Sequence, residues 1–240
     1  MPTFPDRLAA AIDAAPICVG LDPVLDKIPA EIRCADAAGS LRAFSRGVLD
    51  AVAGVAPIVK FQSACYERFG AAGITVLEEA IDYARTLNLL VILDAKRGDI
   101  GISNEHYAAA ALLSRADAVT ASPYLGMETL RAFLGQGLGV FALVRTSNPE
   151  GDTIQSARLE DGRTVAELAA AEVARVGSEF RGERGLSALG AVVGATKVAD
   201  AARLRELMPD APILIPGYGA QGGGPEGVRC RVLDTTCHLP

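Results

Sequence analysis

The sequence predicts an α/β protein and, within that class, a (β/α)8 TIM barrel. Strand-like apolar runs alternate with amphipathic helical stretches along the 240 residues. The runs are apolar on both faces, which indicates a parallel sheet covered by helices. Polar residues follow nearly every run, as the C-terminal face of a barrel requires. A doubly wound sheet would share the alternation but concentrate its site at one crevice, so we favour the barrel.

The predicted strands are short runs rich in branched residues, which is typical of buried strands. In chain order they are 17–22, 57–62, 89–96, 117–123, 139–147, 189–196 and 212–219. Helices are predicted near 40–53, 74–87, 104–115, 127–135, 163–181 and 197–208. Ser40 and Thr196 are the expected N-caps of the first and last of these helices. The stretch 147–163 is predicted to be a loop over the site.

Composition excludes several functional classes. A hydrophobic content of 50% with 22% charged residues is typical of a folded globular domain, here one domain over 1–240. The net charge of −6 argues against a nucleic-acid partner or an anionic membrane surface. No segment reads as a signal peptide or a membrane span. The cysteines show no paired spacing, so we expect reduced thiols and a cytoplasmic protein.

The segment LDAKRGDIG (93–101) concentrates charge at the end of a core strand. Asp94 and Lys96 are two residues apart and share a face of the strand, while Asp99 follows Gly98 in the next loop. Lys60 lies among apolar residues of the second strand and is expected to pair with Asp94. Burial of charges is costly unless they are paired, so this nearly neutral array predicts a functional site.

A second candidate site is the glycine-rich segment PGYGAQGG (216–223), which directly follows a predicted strand. Glycines allow backbone amides to approach an anion closely. Barrels often bind phosphate near the loops after strands 7 and 8. The segment therefore predicts a phosphate site. The two histidines are weaker candidates. His106 is expected in a helix, either on the surface or behind the site residues rather than in catalysis, and His238 with Cys230 and Cys237 is weak evidence for a metal.

Five segments in order resemble the orotidine 5′-phosphate decarboxylase family, in its bacterial, mycobacterial-like branch. They are KFQSACYERFG, LDAKRGDIG, RTSNP, VVGAT and PGYGAQGG. The resemblance implies a dimeric (β/α)8 barrel that converts orotidine 5′-phosphate to UMP and carbon dioxide in pyrimidine biosynthesis. It also implies that neither a cofactor nor a metal takes part.

The resemblance implies a role for each residue of the charged array. Lys96 is the expected general acid that protonates C6 of the pyrimidine, and Asp94 is expected beside the substrate carboxylate. Lys60 is expected to order the array and reach the ribose. Asp99 is expected to project into the partner subunit's site.

The resemblance also implies residues that bind the substrate. Asp22 is expected to hydrogen-bond the sugar, and Ser103 to contact ribose or phosphate. Thr146 and Ser147 are candidates for the pyrimidine amide edge. The expected base and phosphate contacts of the glycine-rich segment are Gly217, Gly219, Gln221 and Gly222.

The chain departs from the family pattern after residue 227. The family continues with an eighth strand bearing a phosphate-binding arginine and with a last helix, and both are missing from the pattern here. Arg229 and Arg231 lie too close to the glycine-rich segment to replace that arginine. We expect 1–227 to be family-like and 228–240 to be an atypical tail, as a frameshift would produce. We expect weaker substrate binding and lower stability unless the tail supplies a surrogate strand.

Two alternatives to the decarboxylase remain open from the sequence. Sugar-phosphate decarboxylases and synthases of the same suprafamily share the D-x-K motif but use magnesium, and the KFQSACYE and RTSNP segments argue against them. The other alternative is a non-catalytic protein that binds a nucleotide phosphate.

Overall fold

The computed structural model describes residues 2–217. The strands in this range are β1 (Cys18–Leu21), β2 (Ile58–Gln62), β3 (Leu90–Arg97), β4 (Ala118–Ala121), β5 (Gly139–Arg145), β6 (Leu189–Val193) and β7 (Ile213–Leu214). The helices are α1 (Phe4–Ala14), α2 (Ala37–Val52), α3 (Ser63–Glu67), α4 (Gly70–Thr86), α5 (Gly101–Leu113), α6 (Arg131–Leu134), α7 (Asp152–Gln155), α8 (Val165–Gly177) and α9 (Val198–Leu207). Short 3₁₀ turns cover Leu25–Lys27, Ala30–Ile32, Met127–Leu130 and Pro149–Gly151.

The seven strands pair in parallel and in chain order, from β1 at one end to β7 at the other. A doubly wound sheet would reverse its strand order at a switch point, and no reversal occurs between residues 18 and 214. The predicted barrel arrangement is therefore confirmed for seven strands. The predicted absence of an eighth strand and last helix concerns the tail, which lies outside the described residues. Parallel pairing places the C-terminal ends of all seven strands on one rim.

Helices cover the outer face of the sheet through their apolar sides. Ala170 and Val173 of α8 are fully buried within the same hydrophobic core as Leu189 of β6. A second core lies under α2 and α4, where Leu41, Leu49 and other apolar side chains are buried. No helix between residues 2 and 217 combines the length and apolar character needed to cross a bilayer.

The opposite rim is closed by α1, a helix that the strand–helix alternation did not predict. Phe4 is buried against Gly139 at the start of β5, where an added Cβ would lie 2.1 Å from the Phe4 ring. Beside it, Asp117 is buried and accepts hydrogen bonds from Arg7, Arg85 and the Val91 N–H, at 2.7, 2.7 and 2.8 Å. This buried ion cluster joins α1, α4 and β3 at the end of the barrel away from the predicted site.

Both predicted N-caps are wrong. Helix α2 begins three residues earlier than Ser40, because the Asp36 carboxylate accepts the Gly39 N–H at 2.6 Å and acts as the cap. The Ser40 hydroxyl instead donates to the Asp36 carbonyl within the helix. At α9 the cap position is Lys197, with no side-chain cap, and the Thr196 hydroxyl donates to the Ser147 carbonyl. The Thr196 hydroxyl thus joins two strand ends rather than starting a helix.

Candidate active site

Asp94 is the centre of the charged array and accepts hydrogen bonds from side chains of three neighbouring strands. Its Oδ2 lies 3.0 Å from Lys60 Nζ and 3.2 Å from Gln62 Nε2, both of β2. Its Oδ1 lies 2.7 Å from Lys96 Nζ and 2.8 Å from the Thr120 hydroxyl of β4. The Asp94 side chain is only 8% exposed, so these donors replace the water that it loses.

The array remains charged despite its burial. Burial by itself would raise the pKa of Asp94, but the Lys60 and Lys96 ammonium groups outweigh it and hold this pKa below its usual value. Burial likewise opposes the charge of Lys60, and the carboxylates of Asp94 and Asp22 raise the pKa of Lys60 above its usual value. Opposite charges at such distances each favour the ionised form of the other. The site therefore contains an ionised carboxylate between two ammonium groups.

Asp22 extends the array toward solvent. It follows β1, its side chain is 56% exposed, and its Oδ1 lies 3.5 Å from Lys60 Nζ. Lys60 is thus shared between a buried and an exposed carboxylate. The row Asp22, Lys60, Asp94, Lys96 alternates in charge and is neutral overall. The sequence predicted such an array with Asp99 as its second carboxylate, and the structure has Asp22 in that place.

Lys96 reaches Asp94 through an irregular backbone that simple strand alternation does not predict. The β3–β4 pairing shifts register between Leu93 and Arg97, so β3 contains extra residues opposite β4. Lys96 lies in this bulge at φ +47°, in the left-handed region that non-glycine residues rarely adopt. Its N–H donates to the Thr120 hydroxyl at 2.9 Å. The bulge leaves the Lys96 side chain 47% exposed, so the ammonium is accessible to a bound molecule.

Within residues 2–217, Asp99 and Ser103 form no hydrogen bond or ion pair with the array. The Asp99 carboxylate accepts the N–H of its neighbour Ile100 at 2.9 Å. Between residues 2 and 217 it forms no ion pair with Lys60 or Lys96. Asn104 of α5 donates to the Asp99 carbonyl at 2.6 Å and to the Thr129 carbonyl at 3.0 Å, which fixes the loop. Ser103 is half-buried in the first turn of α5.

Thr146 and Ser147 follow β5 on the same rim as the array. The Thr146 N–H and hydroxyl are both bonded to the Gln155 side chain. Ser147 is held close to β6, because Gly194 has no side chain: a Cβ there would lie 2.6 Å from the Ser147 backbone. Gly217 adopts φ +93° just after β7, a conformation that favours glycine. Gly219, Gln221 and Gly222 lie outside the described residues.

The sequence reasoning missed three polar partners of this rim. Thr120 stands in an otherwise apolar strand, and its buried hydroxyl bonds both Asp94 and the Lys96 backbone. Gln62 is two residues after Lys60 and so shares its face, a signal that could have identified it. Gln155 lies in the stretch predicted as a loop, where neither its helix nor its partner could be anticipated.

Metal-binding groups offer no further candidate among residues 2–217, where no three His, Cys, Asp or Glu side chains converge. The weak candidate formed by Cys230, Cys237 and His238 lies outside the described residues.

Comparison with known proteins identifies the family of this chain. The model of the orotidine 5′-phosphate decarboxylase / HUMPS family matches residues 15–235. An orotidine 5′-phosphate decarboxylase of Rhodopirellula baltica is 39% identical over 97% of this chain and 83% of its own length. One of Streptomyces coelicolor is 42% identical over 94% of this chain and 82% of its own length. The structure of Leishmania donovani OMP decarboxylase superposes with a TM-score of 0.76 at 32% identity, over 89% of this chain and 79% of that one. This chain belongs to the orotidine 5′-phosphate decarboxylase / HUMPS family.

Proposed function

We propose that this chain decarboxylates orotidine 5′-phosphate to UMP and carbon dioxide, the reaction named in its relatives. The observation that carries the proposal is the Asp22–Lys60–Asp94–Lys96 array at the rim of the barrel. The family model includes other sugar-phosphate enzymes, but the relatives that cover most of this chain are named as orotidine 5′-phosphate decarboxylases. The alternatives of a magnesium-dependent enzyme and a non-catalytic binding protein are therefore not favoured.

The array suits the chemistry of decarboxylation. The bond between C6 and the carboxylate carbon breaks, carbon dioxide leaves, and the electron pair remains on C6. Lys96 gives a proton to C6, because its half-exposed ammonium is the more accessible of the two ammonium groups of the array. Lys60 contacts the ribose of the bound substrate, and Asp22 hydrogen-bonds the sugar hydroxyls.

Asp94 acts on the ground state of the substrate. Placed beside the substrate carboxylate, it repels that group until it leaves as neutral carbon dioxide. Two like charges about 4 Å apart repel by about 4 kcal/mol at an effective dielectric constant near 20. Enzymes lower barriers by roughly 8–23 kcal/mol, so the repulsion supplies a minor share. Stabilisation of the developing carbanion by Lys96 and remote binding of the phosphate supply the rest.

Phosphate binding falls to the glycine-rich segment after β7, in our proposal. Gly217 begins this segment with a left-handed backbone at the shared rim. Gly219, Gln221 and Gly222 continue it, with Gln221 bridging base and phosphate, and Ser103 contacts ribose or phosphate. Ser147 contacts the pyrimidine amide edge, next to Thr146. No cofactor or metal is needed for this chemistry.

We further propose that the active form is a homodimer in which Asp99 crosses into the partner's site. Its carboxylate has no charged partner among the residues described for its own chain. The apolar side chains of Ile100 and Ile102 beside it are 60% and 67% exposed, and Tyr124 in the loop after β4 is 83% exposed. A carboxylate within an exposed apolar surface suits a second copy of the chain.

We also propose a cytoplasmic location, which suits a biosynthetic enzyme with unpaired thiols at Cys18, Cys34 and Cys65. Cell fractionation that recovers the protein outside the cytoplasm would contradict this.

The test of the activity is absorbance-monitored turnover of orotidine 5′-phosphate by the purified full-length chain in chelator-containing buffer. We expect turnover that Lys96→Ala lowers by at least about 10²-fold, the usual contribution of a general acid. Arg203→Ala, which removes an exposed cation from the outer surface, should leave the rate unchanged. A folded wild-type protein without turnover would refute the proposal, and binding of UMP by such a protein would favour the non-catalytic alternative. Turnover that appears only when magnesium is added in excess of the chelator would favour the magnesium-dependent alternative.

A further inference from the structure

A second charged cluster lies on the same rim, at the ends of β5 and β6. Arg145 is the last residue of β5 and only 5% exposed. Its Nε lies 2.7 Å from Asp200 of α9, and one terminal nitrogen lies 2.5 Å from Asp152 of α7. Lys197 also donates to Asp152 at 2.5 Å. Two cations and two carboxylates thus fix α7 and the start of α9 to the end of β5.

Gln155 transmits this anchoring to the residue that follows Arg145. Its Oε1 accepts the Thr146 N–H at 2.9 Å, and its Nε2 donates to the Thr146 hydroxyl at 2.9 Å. Helix α7 can come this close because Gly151 has no side chain: a Cβ there would lie 2.7 Å from the Thr146 hydroxyl. The Thr146 hydroxyl also donates to Gln155 Oε1 at 3.2 Å. The N–H and O–H donors of Thr146 are therefore both engaged inside the protein.

Ser147, the next residue, differs in this respect. Its carbonyl accepts the Thr196 hydroxyl at 3.0 Å, and Gly194 holds its backbone against β6. Within the part of the chain that the structure describes, no hydrogen bond uses the Ser147 N–H or hydroxyl. A donor and a hydroxyl on a fixed backbone match the amide edge of a pyrimidine, which offers carbonyl oxygens and an N–H.

We propose that Gln155 is a positioning residue: by engaging Thr146 it fixes the backbone that presents Ser147 to the pyrimidine of the substrate. This inference rests on the proposed function. It assigns Ser147, rather than Thr146, to direct contact with the base, and it gives the Arg145–Asp152–Lys197–Asp200 cluster the task of anchoring α7. Gln155 itself does not contact the substrate.

The test uses the full-length protein and two ligands that differ in the base. Gln155→Met keeps the side-chain length and removes both hydrogen bonds. Affinity for UMP, which has the pyrimidine, is compared with affinity for ribose 5-phosphate, which lacks it. We expect the Kd of UMP and the KM of orotidine 5′-phosphate to rise about tenfold, the effect of one or two hydrogen bonds. The inhibition constant of ribose 5-phosphate should remain within about twofold of wild type.

Two further variants separate positioning from folding. Gln155→Glu keeps an acceptor for Thr146 and should restore most of the UMP affinity. Gln136→Met alters an exposed glutamine before β5, on the opposite rim, and should change neither ligand's affinity. If Gln155→Met does not fold, Thr146→Val removes the hydroxyl to which Gln155 is bonded. This variant should weaken the binding of UMP and leave the binding of ribose 5-phosphate unchanged.

Three results would overturn the inference. The first is an unchanged affinity for UMP in folded Gln155→Met. The second is an equal loss of affinity for UMP and for ribose 5-phosphate. The third is a UMP affinity that Gln155→Glu does not restore. In each case the wild type would still turn over the substrate, so the proposed function would stand. A wild-type chain that neither binds UMP nor turns over orotidine 5′-phosphate would overturn both proposals.

Discussion

At the scale of the residue, Asp94 determines how the site holds its charge. Four donors contact one carboxylate, and two of them are ammonium groups. Removal of one partner from such a buried array leaves an uncompensated charge, which costs more than the intact array contributes. The stability of the fold and the ionisation of Asp94 are therefore linked.

The linkage predicts a pH dependence for the effect of Asp94→Asn. The folded-state pKa of Asp94 is lowered, so its carboxylate stabilises the folded chain above the unfolded-state value of about 3.9. This contribution is lost as the pH falls through the lower folded-state value. At pH 7 we expect Asp94→Asn to lower the free energy of unfolding by about 3 kcal/mol, the low end for buried pairs because Lys96 is half exposed.

Urea unfolding of both proteins between pH 7 and pH 3 measures this difference, which should shrink below about pH 4. Asp26→Asn, at an exposed carboxylate, is the control and should change stability by less than about 0.5 kcal/mol at every pH. A difference that is constant with pH would contradict the link to Asp94 ionisation.

The residues recovered from the sequence are those whose type is unusual for their place. Asp94, Lys96 and Lys60 stand out because charged residues rarely occur in apolar strands, and the structure brings all three together. Thr120 and Gln155 do not stand out, since a threonine is common in strands and a glutamine is common in loops. Their roles depend on which atoms come into contact between neighbouring elements, and only the folded structure shows those contacts.

At the scale of the element, the strands were predicted more accurately than the helices. Each predicted apolar run overlaps a strand, because burial on both faces produces a clear hydrophobic pattern in the sequence. The starts of α2, α4 and α5 were placed three or four residues too late: α4 and α5 begin at Gly70 and Gly101, both with positive φ, whereas the prediction began nearer the apolar residues. Helix α1 was missed because it closes the barrel end and has no place in the strand–helix alternation.

The two rims of the sheet are expected to respond differently to mutation. Asp117 precedes β4 on the rim away from the site, and its carboxylate compensates the positive charges of Arg7 and Arg85. Asp117→Asn should lower the free energy of unfolding by about 3–5 kcal/mol, the cost of breaking a buried ion pair. The kcat of the folded fraction should not change, because no residue of this cluster is near the array.

Thermal unfolding followed by turnover below the transition measures both quantities. Asp82→Asn breaks the exposed pair with Arg115 and is the matched control, with an expected loss below about 1 kcal/mol. A fall in kcat at full folding would show that the two rims are coupled.

At the scale of the whole molecule, the order of strands was predictable, whereas assembly depends on surfaces that sequence periodicity does not describe. In our proposal Asp99 is the residue through which one barrel reaches the site of its partner. The exposed Ile100 and Ile102 beside it do not stand out in the sequence, because single exposed apolar residues are common.

Hybrid dimers test whether Asp99 serves the partner. Lys96→Ala and Asp99→Ala are each expected to be inactive. If Asp99 crosses, a mixed dimer has one site with both changes and one intact site. Random exchange makes about half of the dimers mixed, so the mixture should regain about a quarter of wild-type activity.

A mixture of Lys96→Ala and Asp94→Asn is the control for the hybrid experiment. Both changes affect the site of their own chain, so activity should not return. Recovery of activity only in the first mixture would support the crossing. A first mixture that stays inactive although the dimers exchange would mean that Asp99 acts in its own chain.

The left-handed backbone of Lys96 has a consequence for how this protein can change over generations. A side chain at φ +47° costs the fold roughly 1–2 kcal/mol that glycine would not, and the Thr120 hydroxyl holds the peptide there. Glycine at this position would relieve that strain but would also remove one of the two ammonium groups that compensate the buried Asp94 carboxylate, so selection for thermal resistance alone would not favour it. The charge of Asp94 and the demand for a proton donor thus both keep a lysine in this conformation.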